Sequence, residues 1–302
     1  MSKRIGDRTQ DAGARGAQKN TERNDFAGED IQSQQPSLTV PGSSSPPQAE
    51  QKVAVILGPG GYKSFAHAGV LKELNRKNIP IHKIVGIEWG ALVAGLYAQR
   101  GQINEAEWKL YKLERLDLNS TGFFVRKKES QSIKVLTEFL RTNLDLKDIS
   151  KSSIPFFCPS LALTQGTLIW QERGLMSKAV ENCLSYPPLF NPVQPYVAAL
   201  FSLDSVITRL KNEGYTAIIL VNVLGDGNLF DNPMLKEDYA TAILWNEARR
   251  SLWAAKSRVT DVIDVNTRGV HISDFESRKL LVTAGEASGE KAAKELATKY
   301  GF

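Results

Sequence analysis

Five consecutive apolar residues, Val53–Leu57, are followed by Gly58, Gly60 and Gly61, after which apolar positions recur at helical spacing over about Ser64–Lys77. This pattern predicts a buried strand that feeds a helix through a glycine turn. A second short strand, Lys83–Ile87, meets the next helix at the sharp turn Gly86-Ile87-Glu88-Trp89-Gly90. Helical periodicity continues through Asn104–Leu116 and Ser130–Leu144, with Gly122 and the Arg126–Lys128 run expected in the loop between them. The pattern then turns extended. Ile154–Leu163 and Thr167–Gln171, joined by Thr164-Gln165-Gly166, predict a hairpin. Leu175–Leu184 reads as a helix closed by Ser185-Tyr186-Pro187-Pro188, because a proline pair stops helix propagation. A proline-punctuated loop, Phe190–Pro195, leads to a short helix at Leu203–Glu213 that ends at Gly214. Ala217–Leu224 is a wholly apolar run but for Asn222, as a buried parallel strand requires, and a long helix at Lys236–Lys256 follows. A strand at Asp261–Val265 and a helix around Ala284–Lys299 complete the pattern. Strands alternating with helices predict an α/β fold, a three-layer α/β/α arrangement with a mainly parallel central sheet covered on both faces.

Composition adds a division to this picture. The chain has 302 residues, 42% of them hydrophobic, enough for a substantial core. Its first fifty residues hold almost no large apolar side chains and are rich in Gly, Ser, Gln, Pro and mixed charges, so burial cannot offset their ordering entropy. A disordered tail over 1–51 and an α/β domain over 52–302 are expected. The tail has no apolar run after its basic residues and no cysteine for lipidation, so no secretory signal or membrane anchor is expected there. Elsewhere no apolar stretch reaches transmembrane length. Cys158 and Cys183 are too few for a disulfide framework, which makes the reducing cytoplasm the expected compartment, with contact at a membrane periphery left open. The net charge of +5 is scattered along the chain, which reads as ordinary solubility charge and not as a nucleic-acid footprint.

Candidate chemistry gathers at the two glycine turns. Gly58-Pro59-Gly60-Gly61 lies between strand and helix, where free N–H groups and the helix dipole favour an anion or an oxyanion. A dinucleotide site would want a third glycine where Lys63 stands, and a Walker loop is excluded by the missing G-K-[ST]. The turn Gly86-Ile87-Glu88-Trp89-Gly90 has the layout of a nucleophile elbow, with Glu88 where serine belongs. A carboxylate attacks an ester poorly, would leave an anhydride, and puts negative charge where an oxyanion must form. Trp89 beside it crowds a site that needs room for an acyl chain. Lys63 is placed to bind an anion with the Gly60 and Gly61 amides, to pair with Glu88, or simply to face solvent. Ser64 reads as a helix-start cap and His67 as a structural residue of the first helix. His82 and His271 lack ligand-like spacing, so neither a metal nor a cofactor is expected. Trp108, Trp170, Trp245 and Trp253 read as core or partial-surface packing and not as a nucleic-acid platform.

Taken together the turns resemble the patatin-like phospholipase family, whose pattern is G-G-G-x-R-G, then H-x-G-V-L, then G-x-S-x-G-A. The corresponding residues are Pro59-Gly60-Gly61-Tyr62-Lys63-Ser64, His67-Ala68-Gly69-Val70-Leu71 and Gly86-Ile87-Glu88-Trp89-Gly90-Ala91. Gly174-Leu175, Ala179-Val180, Ser185–Phe190 and Pro192 extend the likeness downstream, so that it covers roughly Lys52 to the last residue. The resemblance implies a Ser–Asp dyad whose aspartate comes from D-G-[GA]. On the preferred spacing that place is filled by Tyr196-Val197-Ala198-Ala199-Leu200, and the acid becomes Ala198. A second alignment uses Asp226-Gly227-Asn228 with Asn232-Pro233, at the cost of a long insertion. The expectation is therefore a degenerate, catalytically silent member of the family. It would bind an acyl lipid or another anionic ligand through Gly60, Gly61, Lys63 and Trp89, or a protein partner through the tail. The alternatives are a lipid acyl hydrolase that uses Glu88 as a base for water and, more distantly, a nucleotide-binding α/β domain.

Overall fold

Alternate side chains of the first strand, β1 (Val53–Leu57), enter two different cores. Val53, Val55 and Leu57 join one apolar cluster, while Ala54 and Ile56 join the other, because successive residues of a strand point to opposite faces. The chain is described from a computed structural model, which covers residues 51–116, 126–186, 195–225 and 239–302. All of these belong to one compact unit, Ala49–Phe302. The expected tail except Gln51, the loop glycine Gly122, Pro187 to Gln194, and the alternative acid motif Asp226-Gly227-Asn228 with Asn232-Pro233 lie outside the described residues.

The strands after β1 are β2 (Lys83–Gly86), β3 (Phe156–Ala162), β4 (Thr167–Gln171), β5 (Tyr196–Ala198), β6 (Ala217–Asn222) and β7 (Asp261–Asp264). Their order in the sheet is β4-β3-β2-β1-β6-β7, with β5 also paired to β3. All pairs among β3, β2, β1, β6 and β7 are parallel, and β4 and β5 run antiparallel to β3, so the sheet is mainly parallel as expected. The predicted hairpin is the β3–β4 pair.

One face of the sheet is covered by α1 (Ala66–Arg76), α2 (Trp89–Ala98) and the last helix, α8 (Arg278–Tyr300); between them come α3 (Ile103–Tyr111), α4 (Arg126–Asn143) and α5 (Met176–Leu184). The other face is covered by α6 (Leu203–Asn212) and α7 (Tyr239–Ala255), whose Leu203, Val206, Trp245 and Leu252 pack on Ile56, Val85 and Leu220. Three differences from the expected elements have physical reasons. Arg126–Lys128 opens α4 instead of lying in a loop, since Arg and Lys are good helix formers that leave no apolar period behind them. The helix expected from Ala284 starts at Arg278, because its apolar contacts begin with Leu281 and Val282, before the glycines that disguise its middle. The first helix opens with a 3₁₀ turn, Gly61–Phe65, before α1 proper.

Cys158 of β3 and Cys183 of α5 are joined as a disulfide, with Cα atoms 6.2 Å apart. Two cysteines make no framework, yet they are paired, and the pairing removes the ground on which a reducing compartment was expected. Among the described residues no helix is long and apolar enough to cross a membrane.

Candidate functional site

β1 and β2 end side by side, with Leu57 opposite Gly86, so the two glycine turns emerge together at the C-terminal end of the parallel sheet. That is the end at which α/β sheets place their ligands. Close approach is built into the second turn. A Cβ on Gly86 would lie 2.3 Å from the Ala91 Cα, and one on Gly90 would lie 2.4 Å from the Leu57 carbonyl oxygen. Between these glycines Glu88 has φ 54° and ψ −128°, a left-handed conformation that costs a non-glycine residue about 1–3 kcal/mol. The elbow geometry is thus retained although its serine is not.

The Glu88 side chain is completely buried and turns back onto the first glycine loop. Its Oε2 accepts hydrogen bonds from the Gly60 N–H at 3.1 Å and the Gly61 N–H at 3.0 Å. The Trp89 N–H, at the start of α2, also acts on the carboxylate. These are the free amides that the sequence assigns to an anion or oxyanion, and a side chain of the chain itself holds them. Oε1 has no hydrogen-bond partner among the described residues. Burial raises the Glu88 pKa to about 7, against the opposing pull of the Trp89, Gly60 and Gly61 amides.

Around this centre the described residues pack closely. Trp89 is buried and meets Tyr62 edge-on at 4.8 Å, and Tyr62 meets Phe275 at 5.1 Å. Phe275 belongs to a segment after β7 that lies against the glycine loop: the Tyr62 N–H donates to the Ile272 carbonyl at 2.7 Å. A Cβ on Gly61 (φ 53°) would come within 2.7 Å of that same oxygen. Neither Ile272 nor Phe275 lies in an element the periodicity predicted, and nothing in their spacing signals that they cover the elbow. An open groove of about 410 Å³ lies elsewhere, between β4 and α6, lined by Trp170, Arg209 and Glu213 among others and by no residue of either turn.

The remaining candidates are spread over the glycine loop, the first helix and more distant segments. Lys63 is buried and does not pair with it: Nζ is directed at the Thr267 carbonyl, 3.4 Å away. Burial, with the Arg249 charge adding to it, lowers the Lys63 pKa to about 8. The expectation of a Lys63–Glu88 pair or a solvent-facing lysine is therefore corrected; the segment after β7 provides an acceptor that spacing could not reveal. Ser64 does not cap a helix. Its hydroxyl is buried inside the 3₁₀ turn without a hydrogen-bond partner among the described residues. His67 is structural as expected, its Nε2 donating to the Gly58 carbonyl at 2.8 Å while burial lowers its pKa to about 4. His82 accepts from the Val53 N–H through Nδ1, and His271 Nδ1 lies 2.6 Å from the Ser273 hydroxyl.

Ala198 ends β5 and pairs with Ser160 of β3, while Val85 of β2 pairs with Phe157 of the same strand. β5 therefore takes up the edge of β3 where β2 leaves it, three residues further on, or roughly 10 Å along the strand. On the preferred of the two alignments a methyl group stands at the place of the dyad acid, and the Ala198 N–H is held by the Ser185 carbonyl at 2.7 Å. Asp226, the other candidate, lies outside the described residues.

Comparison with known proteins agrees with the motif reading. A model of the patatin-like phospholipase family matches residues 55–290. An uncharacterized NTE family protein of Mycobacterium bovis is 28% identical over 156 residues, which make up 51% of this chain and 42% of that one. A lysophospholipase of Candida albicans is 23% identical over 247 residues, covering 76% of this chain and 17% of the yeast protein. The chain thus spans less than half the length of these relatives. Among solved structures, VipD from Legionella pneumophila aligns with a TM-score of 0.45 at 12% identity, over 82% of this chain and 67% of that one. With the family model spanning both glycine turns and most of the α/β unit, the chain belongs to the patatin-like phospholipase family.

Proposed function

We propose that this chain is a patatin-like domain that no longer hydrolyses esters and acts by binding, its ligand being an acyl lipid, another anionic molecule or a protein partner. The observation that carries the reading is the pair of hydrogen bonds from the Gly60 and Gly61 amides to Glu88 Oε2. In an acyl hydrolase such amides must be free to stabilise the oxyanion of the tetrahedral intermediate, and removing one donor costs about 10²–10³ in rate. Here a fixed carboxylate occupies both. The serine that would attack is absent, and on the preferred alignment so is the carboxylate that would activate it. Packing of Trp89 against Tyr62, and of Tyr62 against Phe275, supports the same reading, because it takes space an acyl chain would need.

The free Oε1 of Glu88 and its pKa of about 7 favour a second reading, in which Glu88 serves as general base for a water molecule. The two readings part in a hydrolysis assay with a chromogenic short-chain ester and with phospholipid. The native protein is expected to give no turnover above the buffer blank, and Glu88→Ser combined with Ala198→Asp to give measurable activity. Native turnover abolished by Glu88→Ala would overturn the binding reading in favour of the general base. We also propose that the protein acts at the periphery of a membrane or with a protein partner, without a metal or cofactor.

A further inference from the structure

We infer that Glu88 is a reversible latch on the Gly60–Gly61 anion hole: charged, it closes the hole as a tethered carboxylate ligand, and protonated, it releases both amides to a monocarboxylate from solution. The inference rests on the reading of the elbow as non-hydrolytic and gives that site its regulation and ligand class. A nest of backbone amides at a strand-to-helix turn prefers an anion, and this one already holds a carboxylate oxygen at 3.0–3.1 Å from two donors. The two amides are therefore already set to hold a carboxylate oxygen, and a ligand from solution must take the place of the Glu88 side chain. The second carboxylate oxygen, fully buried, has no hydrogen-bond partner among the described residues, and burial of the charge outweighs the pull of the three backbone amides. Loss of the charge relieves that cost and weakens the two amide bonds together, since bonds to an ionised acceptor are roughly twice as strong as neutral ones.

No charged group near Glu88 is among the causes of its shift, although Lys63, lowered to about 8, titrates in the same range. On the glycine loop and 3₁₀ turn, Lys63 is directed at Thr267 O and Ser64 is uncharged. On α1, His67 is bound to Gly58 O and is neutral at physiological pH. The first turn of α2 carries no acidic residue, and its Trp89 and Gly90 are uncharged. On the segment after β7, His271 is engaged with Ser273, and Arg249 of α7 acts on Lys63. No charged side chain is among the causes of the Glu88 shift, which are burial and three backbone amides. A proton is thus the simplest agent able to open the hole.

The test follows the Gly60 and Gly61 amide resonances of ¹⁵N-labelled full chain between about pH 5 and pH 9, the range that brackets a carboxyl titrating near neutrality. Both are expected to move in one common titration. Their exchange with solvent, corrected for intrinsic rates, should quicken about tenfold on the acid side. In a Lys63→Met background, which removes the other group that titrates in this range, Glu88→Gln keeps the shape and should abolish the titration. Sodium formate added to Glu88→Ala should return both resonances toward their native positions at alkaline pH, whereas sodium chloride should not. Amides that do not titrate in the native protein, a titration that persists in Glu88→Gln, or amides unmoved by formate would overturn the latch. Ester hydrolysis by the native protein would instead sink the non-hydrolytic reading, and the amide measurements distinguish the two failures.

Discussion

Glu88 and His67 are both completely buried within one small site, and their protons act on stability in opposite directions. Glu88 has its pKa raised in the fold from 4.5 to about 7. Its contribution is present in full below about pH 4.5 and is lost as pH rises through 7, a total on the order of 3 kcal/mol. His67 has its pKa lowered from 6.5 to about 4. Its contribution is present above about pH 6.5 and is lost as pH falls through 4. Between roughly pH 4.5 and 6.5 the two slopes cancel, so the pair adds little pH dependence to the native protein in that window. Glu88→Gln removes one slope and uncovers the other. In urea titrations the variant should gain on the native protein by on the order of 3 kcal/mol on going from about pH 4.5 to pH 8, and should itself lose stability on acidification below about 6.5. A stability difference that is the same at both pH values would show that Glu88 is not titrating in the fold.

At the scale of elements, the closest packing in the molecule joins the two helices whose sequences look least suited to it. α8 carries Gly285 and Gly289 in its interior, where each glycine costs roughly 0.5–1 kcal/mol relative to alanine. The cost is offset by approach: a Cβ on Gly285 would lie 1.9 Å from the Ala66 carbonyl oxygen, and one on Gly69 of α1 would lie 2.0 Å from the Val282 carbonyl oxygen. Gly285→Ala is therefore expected to push α8 off α1 and destabilise by about 3 kcal/mol, the upper end of ordinary overpacking. Gly214→Ala makes a useful contrast, because a Cβ there meets nothing within 4 Å and only the backbone at φ 80° resists it. Its expected cost is about 1 kcal/mol. Equal losses in urea unfolding would mean that α8 does not need the close approach. The same helix marks a limit of sequence reading. Strands such as β1 and β6 were legible because every residue is apolar or nearly so, and the elbow because two glycines frame it. The cover over the elbow was not legible, since Ile272 and Phe275 sit in an irregular segment whose position depends on where the chain returns after β7. The place of Lys63 is hidden for the same reason, its acceptor Thr267 lying 204 residues further along the chain.

For the molecule as a whole, the disulfide links the sheet to the helix layer next to the site. Cys158 stands on β3 between Phe157, which pairs with β2, and Ser160, which pairs with Ala198 on β5; Cys183 lies near the end of α5, two residues before Ser185, whose carbonyl holds the Ala198 N–H. Both cysteines are fully buried. The bond closes a loop with a sequence separation of 25, and by the chain-entropy argument such a loop stabilises by about 3 kcal/mol. In a domain of this size that corresponds to a fall in Tm of about 8 °C on reduction. The prediction is checked by thermal unfolding with and without a reductant, beside Cys158→Ala with Cys183→Ala, and by intact mass under denaturing conditions after alkylation without reduction. The expected mass carries no alkyl group, and the reduced native protein should melt with the double variant. Two alkylated thiols in protein purified without reductant would show that the cysteines face each other unbonded. The sheet and α5 would then be held at this point by packing and by the Cys158 thiol donating to the Ala179 carbonyl, 3.5 Å away, and Ala198 by the strand pairing and its bond to Ser185.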